Sequence, residues 1–157
     1  MFINRIVVAP SGFKECLSAP ETASAIAEGV RRALPEAAVD TVPLVDGGEG
    51  SAAALAEATG GRLHNVRVSG PVGAVVDSHF AMLGGPGART AVVEMAAAAG
   101  LSLVPHELRD PGATTSHGVG ELIAAALDAG ARRILVGCGD SGICDGGAGA
   151  LTALGAR

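Results

Sequence analysis

Twice between Ile3 and Thr59 a β-branched run passes into a loop and then into a helical pattern, and this alternation constrains the fold more than any other feature. Ile3 to Ala9 predicts a strand. Ser18-Ala19-Pro20-Glu21 then reads as a capping box opening a helix, with Ala23, Ile26, Ala27, Val30 and Leu34 along one face. Val39 to Val45 predicts a second strand that ends in Asp46-Gly47-Gly48-Glu49-Gly50; Ser51 to Thr59 predicts the next helix, stopped by Gly60-Gly61. Parallel neighbours need a long connection between them, so strands separated by helices predict a parallel sheet with crossover helices.

From Leu63 to Met95 the pattern changes to three short strand candidates with turns at Gly70-Pro71-Val72-Gly73 and Gly84-Gly85-Pro86-Gly87. Val76, Phe80 and Met82 alternate with Asp77, His79 and Ala81, which predicts one buried and one largely wet face. A helix is expected after Thr114-Thr115-Ser116, with Val119, Leu122, Ile123, Ala126 and Leu127 on its apolar face and Gly130 as its stop. The strand Arg132 to Val136 enters a loop running to Gly149, and a last helix is expected over 147–154. The fold expected is α/β: a Rossmann-like, mostly parallel sheet from residues 1–62 and 114–157, with a smaller mixed α/β subdomain over 63–113.

Composition excludes several functions. A chain of 157 residues, 48% apolar and 17% charged, buries a core and is not disordered, and its apolar runs are too short to span a membrane. Net charge is −5 without a basic run, and the aromatics are Phe2, Phe13 and Phe80, so neither phosphate backbones nor bases have a surface to bind. Cys16, Cys138 and Cys144 have no CxxC spacing, and His64, His79, His106 and His117 are scattered, which gives no zinc pattern. Met1-Phe2-Ile3-Asn4-Arg5 lacks the features of a signal peptide, so a cytoplasmic protein acting on small molecules is expected.

In a parallel α/β sheet ligands bind beyond the carboxyl ends of the strands, where glycine lets backbone amides approach phosphate oxygens. Gly137-Cys138-Gly139-Asp140-Ser141-Gly142-Ile143-Cys144-Asp145-Gly146-Gly147-Ala148-Gly149 holds six glycines between a predicted strand and a predicted helix. Its start formally matches GxGxxG, the motivation for a dinucleotide-binding oxidoreductase, but that reading needs an immediate helix and a later acidic residue. Asp46-Gly47-Gly48-Glu49-Gly50 sets two carboxylates beside backbone amides, suited to magnesium or to a hydroxyl, although an acidic first helical turn has the same composition. Asp145-Gly146-Gly147 repeats the acid and diglycine. Lys14, the single lysine, is suited to stabilising phosphoryl charge; a solvated loop lysine is the plain alternative. Thr114-Thr115-Ser116 suits an anion or an ordinary helix cap, and Glu94 a cleft or a cap.

Taken in order, these segments resemble the bacterial glycerate kinase family. Ala9 to Ala19 is similar to its APDSFKGSLSA segment and Pro43 to Ser51 to its PxADGGEGT segment; Glu94-Met95-Ala96 with Gly100-Leu101, and Thr114-Thr115 with Gly118 to Ile123, agree similarly. Gly137 to Gly149 resembles its GxGGSxTNDGGxG loop, carried before an LxALGA helix end. The resemblance implies an ATP- and magnesium-dependent enzyme that phosphorylates D-glycerate. It carries catalytic roles onto Lys14, Asp46 and Asp145, the last two with magnesium. It carries binding roles onto Phe13, Gly47, Gly48, Glu49, Glu94, Thr114, Thr115, Gly137, Gly139, Ser141, Gly146 and Gly147. Ser11-Gly12, Asp140 and Ile143-Cys144 differ from the pattern. Family members are much longer, so the chain is expected to be their N-terminal part, with a non-catalytic anion- or nucleotide-binding module as the alternative.

Overall fold

The computed structural model describes residues 4–13, 16–87 and 89–157, and it divides into two compact units, Met1–Asp46 and Gly47–Arg157. In the first, β1 (Arg5–Val8) and β2 (Ala38–Thr41) pair in parallel, joined by α1 (Ala19–Ala33). The capping box fixes where α1 starts: the Glu21 amide donates to Ser18 Oγ, and the Glu21 carboxylate accepts from the Ser18 amide. Ala23 and Ala27 turn inward onto Val8, with Ile6, Val30 and Val39 partly buried around them. Ile26 and Leu34, expected on the same face, lie at its margins and are exposed.

The second unit is a four-stranded sheet in the order β3 (Arg62–Ser69), β4 (Val75–Met82), β5 (Thr90–Glu94), β6 (Arg133–Gly137). β3 with β4 and β4 with β5 are antiparallel, whereas β5 with β6 is parallel. This is a mixed α/β fold with parallel and mixed sheets, as the strand and helix alternation predicts. The division of the chain falls elsewhere than the expected 1–62, 63–113 and 114–157. β6 takes its hydrogen bonds from β5, and α2 (Ser51–Thr59) packs on β3, β4 and β5, so both join the segment expected to stand apart.

Alternation decides which face each helix covers. Ala81 and Val92 point to one side and are sealed by Ala52 and Ala56 of α2, so the face expected to be wet is apolar under that helix. Val68, Phe80, Met82, Ala91 and Val93 belong to the main core with Val119, Leu122 and Ala126 of α4 (His117–Asp128) and the short α3 (Ala96–Ala99). Glycine sets how closely α4 can lie. A Cβ on Gly118 would stand 1.8 Å from the Ser69 carbonyl oxygen, and one on Gly120 2.4 Å from that of Ala150 in α5 (Ala148–Ala153). The carboxylate of Glu121, one turn into α4, accepts from the Ser69 amide at 2.6 Å.

Candidate functional site

The loops after β5 and β6 leave the carboxyl ends of the parallel pair, the place where open α/β sheets bind ligands. The Gly47–Gly50 segment, which leads into α2, is packed there against the start of the Gly137–Gly149 loop. The Gly139 amide donates to the Gly47 carbonyl at 3.1 Å and the Glu49 amide to Asp140 Oδ2 at 3.2 Å. A Cβ on Gly137 would lie 2.4 Å from the Gly47 oxygen, and one on Gly139 2.5 Å from the Gly48 nitrogen. These glycines are therefore required for one loop to lie on the other, a reason that periodicity and motif reading do not reveal. Farther on, the Leu101 amide donates to the Asp140 carbonyl and the Gly142 amide to that of Ala99, which ties the segment after β5 to the same loop.

Glu94 ends β5 and is 1% exposed. Its carboxylate accepts from the Ala52 amide and, at 3.4 Å, from the Gly50 amide. It thus caps α2, across the sheet, not the helix that follows it in sequence. Gly50, the N-cap of α2, is left-handed (φ 89°) and supplies no side-chain acceptor, so a remote carboxylate fills the role. Burial pushes the Glu94 pKa above the ordinary carboxylate value; the two amides and the charge of His79 oppose that rise, while Glu49 adds to it.

Asp145 does similar work at two helices. Oδ2 accepts from the Ser116 amide and hydroxyl at 2.8 Å each and from the Gly149 amide at 3.1 Å, with Thr115 Oγ1 at 3.5 Å. Oδ1 accepts from the Gly147 amide at 3.0 Å. Partial burial raises its pKa, but these donations outweigh it and hold the carboxyl below its ordinary value. Ser116, 1% exposed, accepts in turn from the Ala150 amide at 2.9 Å and so links the starts of α4 and α5. The sequence offered Ser116 only as part of a helix cap; its bond to a carboxylate 29 residues away carries no local signal.

The remaining expected residues separate into three groups. Lys14 lies outside the described residues. Phe13, in the first unit, is 61% exposed, and its amide donates to the Leu17 carbonyl at 2.8 Å. Asp46 is the exposed last residue of that unit, so the acidic diglycine segment crosses the boundary between units. In the second unit Glu49 and Ser141 are exposed, and Gly50, Gly146 and Gly147 face open space with positive φ. Thr115 Oγ1 accepts from the His117 amide at 3.2 Å, whereas Thr114 is 6% exposed and its hydroxyl has no partner among the described residues. The two acid and diglycine segments are not equivalent: Gly50 is the N-cap of α2, four residues after Asp46, whereas Gly147 is the N-cap of α5, two after Asp145. The GxGxxG match opens onto no immediate helix, since β6 ends at Gly137 and α5 begins at Ala148.

A family model described as the glycerate kinase family matches residues 6–157. The chain belongs to that family. Among glycerate kinase family relatives, a glycerate kinase of Bacillus subtilis (strain 168) is 51% identical over 153 residues, covering 98% of this chain and 40% of the relative. A glycerate 2-kinase of Escherichia coli (strain K12) is 49% identical with the same coverage of both chains. A crystal structure provisionally designated glycerate kinase 2, from Salmonella typhimurium LT2, superimposes with a TM-score of 0.72 at 51% identity, over 98% of this chain and 41% of the other. The chain thus spans about 40% of the length of the curated relatives it matches.

Among the described residues no helix is long and apolar enough to cross a membrane, and no three His, Cys, Asp or Glu side chains gather into a metal site. Asp145 does not suit magnesium as arranged, because its oxygens are engaged by backbone and hydroxyl donors that hold two helices. Magnesium is satisfied by one or two carboxylates together with water and phosphate oxygens, and Asp46 is a solvent-exposed carboxylate.

Proposed function

We propose that this chain forms part of a cytoplasmic glycerate kinase, which transfers the terminal phosphoryl group of ATP to a hydroxyl of D-glycerate. The observation that carries the reading is the family match across residues 6–157, reinforced by the convergence of three motif loops at the carboxyl end of the β5 and β6 pair. Phosphoryl transfer depends on positioning and on electrostatic stabilisation, with little covalent work for the protein.

Within this reading the residues divide by what surrounds them. In the first unit, Lys14 is assigned to phosphoryl charge, and the exposed carboxylate of Asp46 to orienting or deprotonating the attacking hydroxyl. In the second unit, Ser141 and the open backbone at Gly50, Gly146 and Gly147 are assigned to polar groups of the ligands. The amides of Ala52, Gly147, Gly149 and Ala150 already donate to Glu94, Asp145 or Ser116, so the starts of α2 and α5 are satisfied internally. Glu94, Asp145, Gly137 and Gly139 accordingly act as positioning residues, holding the loops that meet the ligands. Magnesium would assist by neutralising phosphate charge.

The test is release of ADP from ATP on addition of D-glycerate by the protein that carries this sequence, with phosphoglycerate as the product. Asp46→Ala is expected to lower the rate by at least about 100-fold, the scale of a lost general base. An unchanged rate would remove Asp46 from the mechanism, and no glycerate-dependent ADP would overturn the reading.

A further inference from the structure

β6 has the composition of an inner strand and the position of an outer one. Strands buried on both faces of a parallel sheet read as continuous apolar runs, whereas natural edge strands are blunted by lysine, proline or a bulge. Ile134-Leu135-Val136 is such a run, yet among the described residues β6 pairs with β5 alone. In register, Leu135 stands beside Val92, under α2, and Val136 beside Val93, in the main core. Val92 and Val93 are 3% and 0% exposed; Leu135 and Val136 are 47% and 44% exposed. Both apolar layers therefore stop half-covered at β6. The Arg133 amide donates to the Arg89 carbonyl and the Gly137 carbonyl accepts from the Met95 amide, so by alternation the amides of Ile134 and Val136 point to the other edge. There the Val136 carbonyl meets the Cys138 thiol at 3.9 Å.

We propose that this free edge receives a further parallel strand, supplied by the chain that follows α5 in the longer members of the family. The helices set its side and direction. α4 links β5 to parallel β6 across the main core, and α5 lies on the same face: Ala150 packs on that core, and its amide donates to Ser116 Oγ. Crossovers between parallel strands of one sheet are right-handed almost without exception, so two successive ones on one face carry the sheet onward in one direction. A strand reached through α5 thus lies beyond β6, on the side away from β5. The helix is already apolar where that strand would bring cover. Ala150 and Ala153 lie against Gly120 of α4, while Leu151 and Leu154, one position round the helix, are exposed. Length identifies the occupant: the relatives continue well past the N-terminal stretch that this chain matches, which is 40% of each. A strand parallel to β6 ends beside the start of the Gly137–Gly149 loop, so the loop at its own carboxyl end joins the candidate site.

The test compares hydrogen exchange at β6 in this chain with that in a chimera, in which the remainder of the Bacillus subtilis relative continues the chain after Arg157. In the chain alone the Ile134 and Val136 amides are expected to exchange as edge amides; in the chimera they exchange at least about 100-fold more slowly, as inner-strand amides do. Leu151→Lys is expected to leave the melting temperature of the chain within about 2 °C of its parent and to lower that of the chimera by more than about 4 °C, because the side chain is exposed in one and covered in the other. Equal exchange at Ile134 and Val136 in the two proteins, or equal effects of Leu151→Lys, overturns the proposal. So does protection in the chain alone that rises with its concentration, which would make a second copy the occupant. Should the chimera fail to fold, the intact Bacillus subtilis relative, followed over the strand aligned with β6, carries the same comparison. The inference concerns the edge and not the chemistry: a protected edge in a protein without glycerate-dependent ADP release would sustain it while removing the proposed function.

Discussion

Glu94 and Asp145 are two carboxylates doing one job with opposite consequences for stability. Asp145 has a folded pKa below its unfolded value, so its contribution is present above the unfolded carboxylate range and is lost as pH falls through the depressed folded value. Asp145→Asn turns a donor toward donors, and is expected to cost about 3 kcal/mol at pH 7 in urea unfolding, with a shallower loss on acidification. Glu94 has a raised folded pKa, so the folded state binds the extra proton and stability declines as pH rises from the unfolded carboxylate range through the raised value. Glu94→Gln removes that decline, and the same unfolding curves measured at successive pH values check it. Thr114 separates a structural role from a binding one. Its buried hydroxyl has no partner among the described residues, so Thr114→Val should leave the unfolding free energy within about 1 kcal/mol of the parent; lost ligand affinity in that variant would assign the hydroxyl to the ligand.

Glycines that look alike in the sequence differ sharply once elements pack. Gly139→Ala sets a Cβ into the Gly48 backbone and is expected to cost about 3 kcal/mol, since two loops must part. Gly50→Ala meets nothing within 4 Å and bears only the left-handed conformation, about 1 kcal/mol. Thermal unfolding of the two variants distinguishes them; equal losses would contradict loop-on-loop packing. The family resemblance carries a binding role onto Gly139 and none onto Gly50, and sequence alone does not tell a glycine required by a neighbouring backbone from one required by a phosphate, because both leave the same letter. What was legible at this scale was local: the Ser18 and Glu21 capping box, the Ser51–Thr59 helix and the Gly60 stop all depend on residues within one turn. The caps made by Glu94 and Asp145 were not legible, because their partners lie 42 and 29 residues away.

At the scale of the molecule, periodicity predicted the strands and helices but not which strands share a sheet. β6 reads as a continuation of the N-terminal alternation, yet its partner is β5, since pairing is decided by long-range packing of Val92, Val93 and Leu122 that no local window contains. The ordered motifs made the family legible, and within the second unit the Gly47–Gly50 segment, the segment after β5 and the Gly137–Gly149 loop come together at one end of the β5 and β6 pair. The central claim is that these loops form one ligand-binding surface. Titration of the 15N-labelled chain with D-glycerate and with magnesium ATP tests it most directly. The account predicts saturable shifts concentrated in the amides of Gly47 to Gly50 and Cys138 to Gly147; saturable shifts confined to residues outside these loops, or none with either ligand, would contradict it.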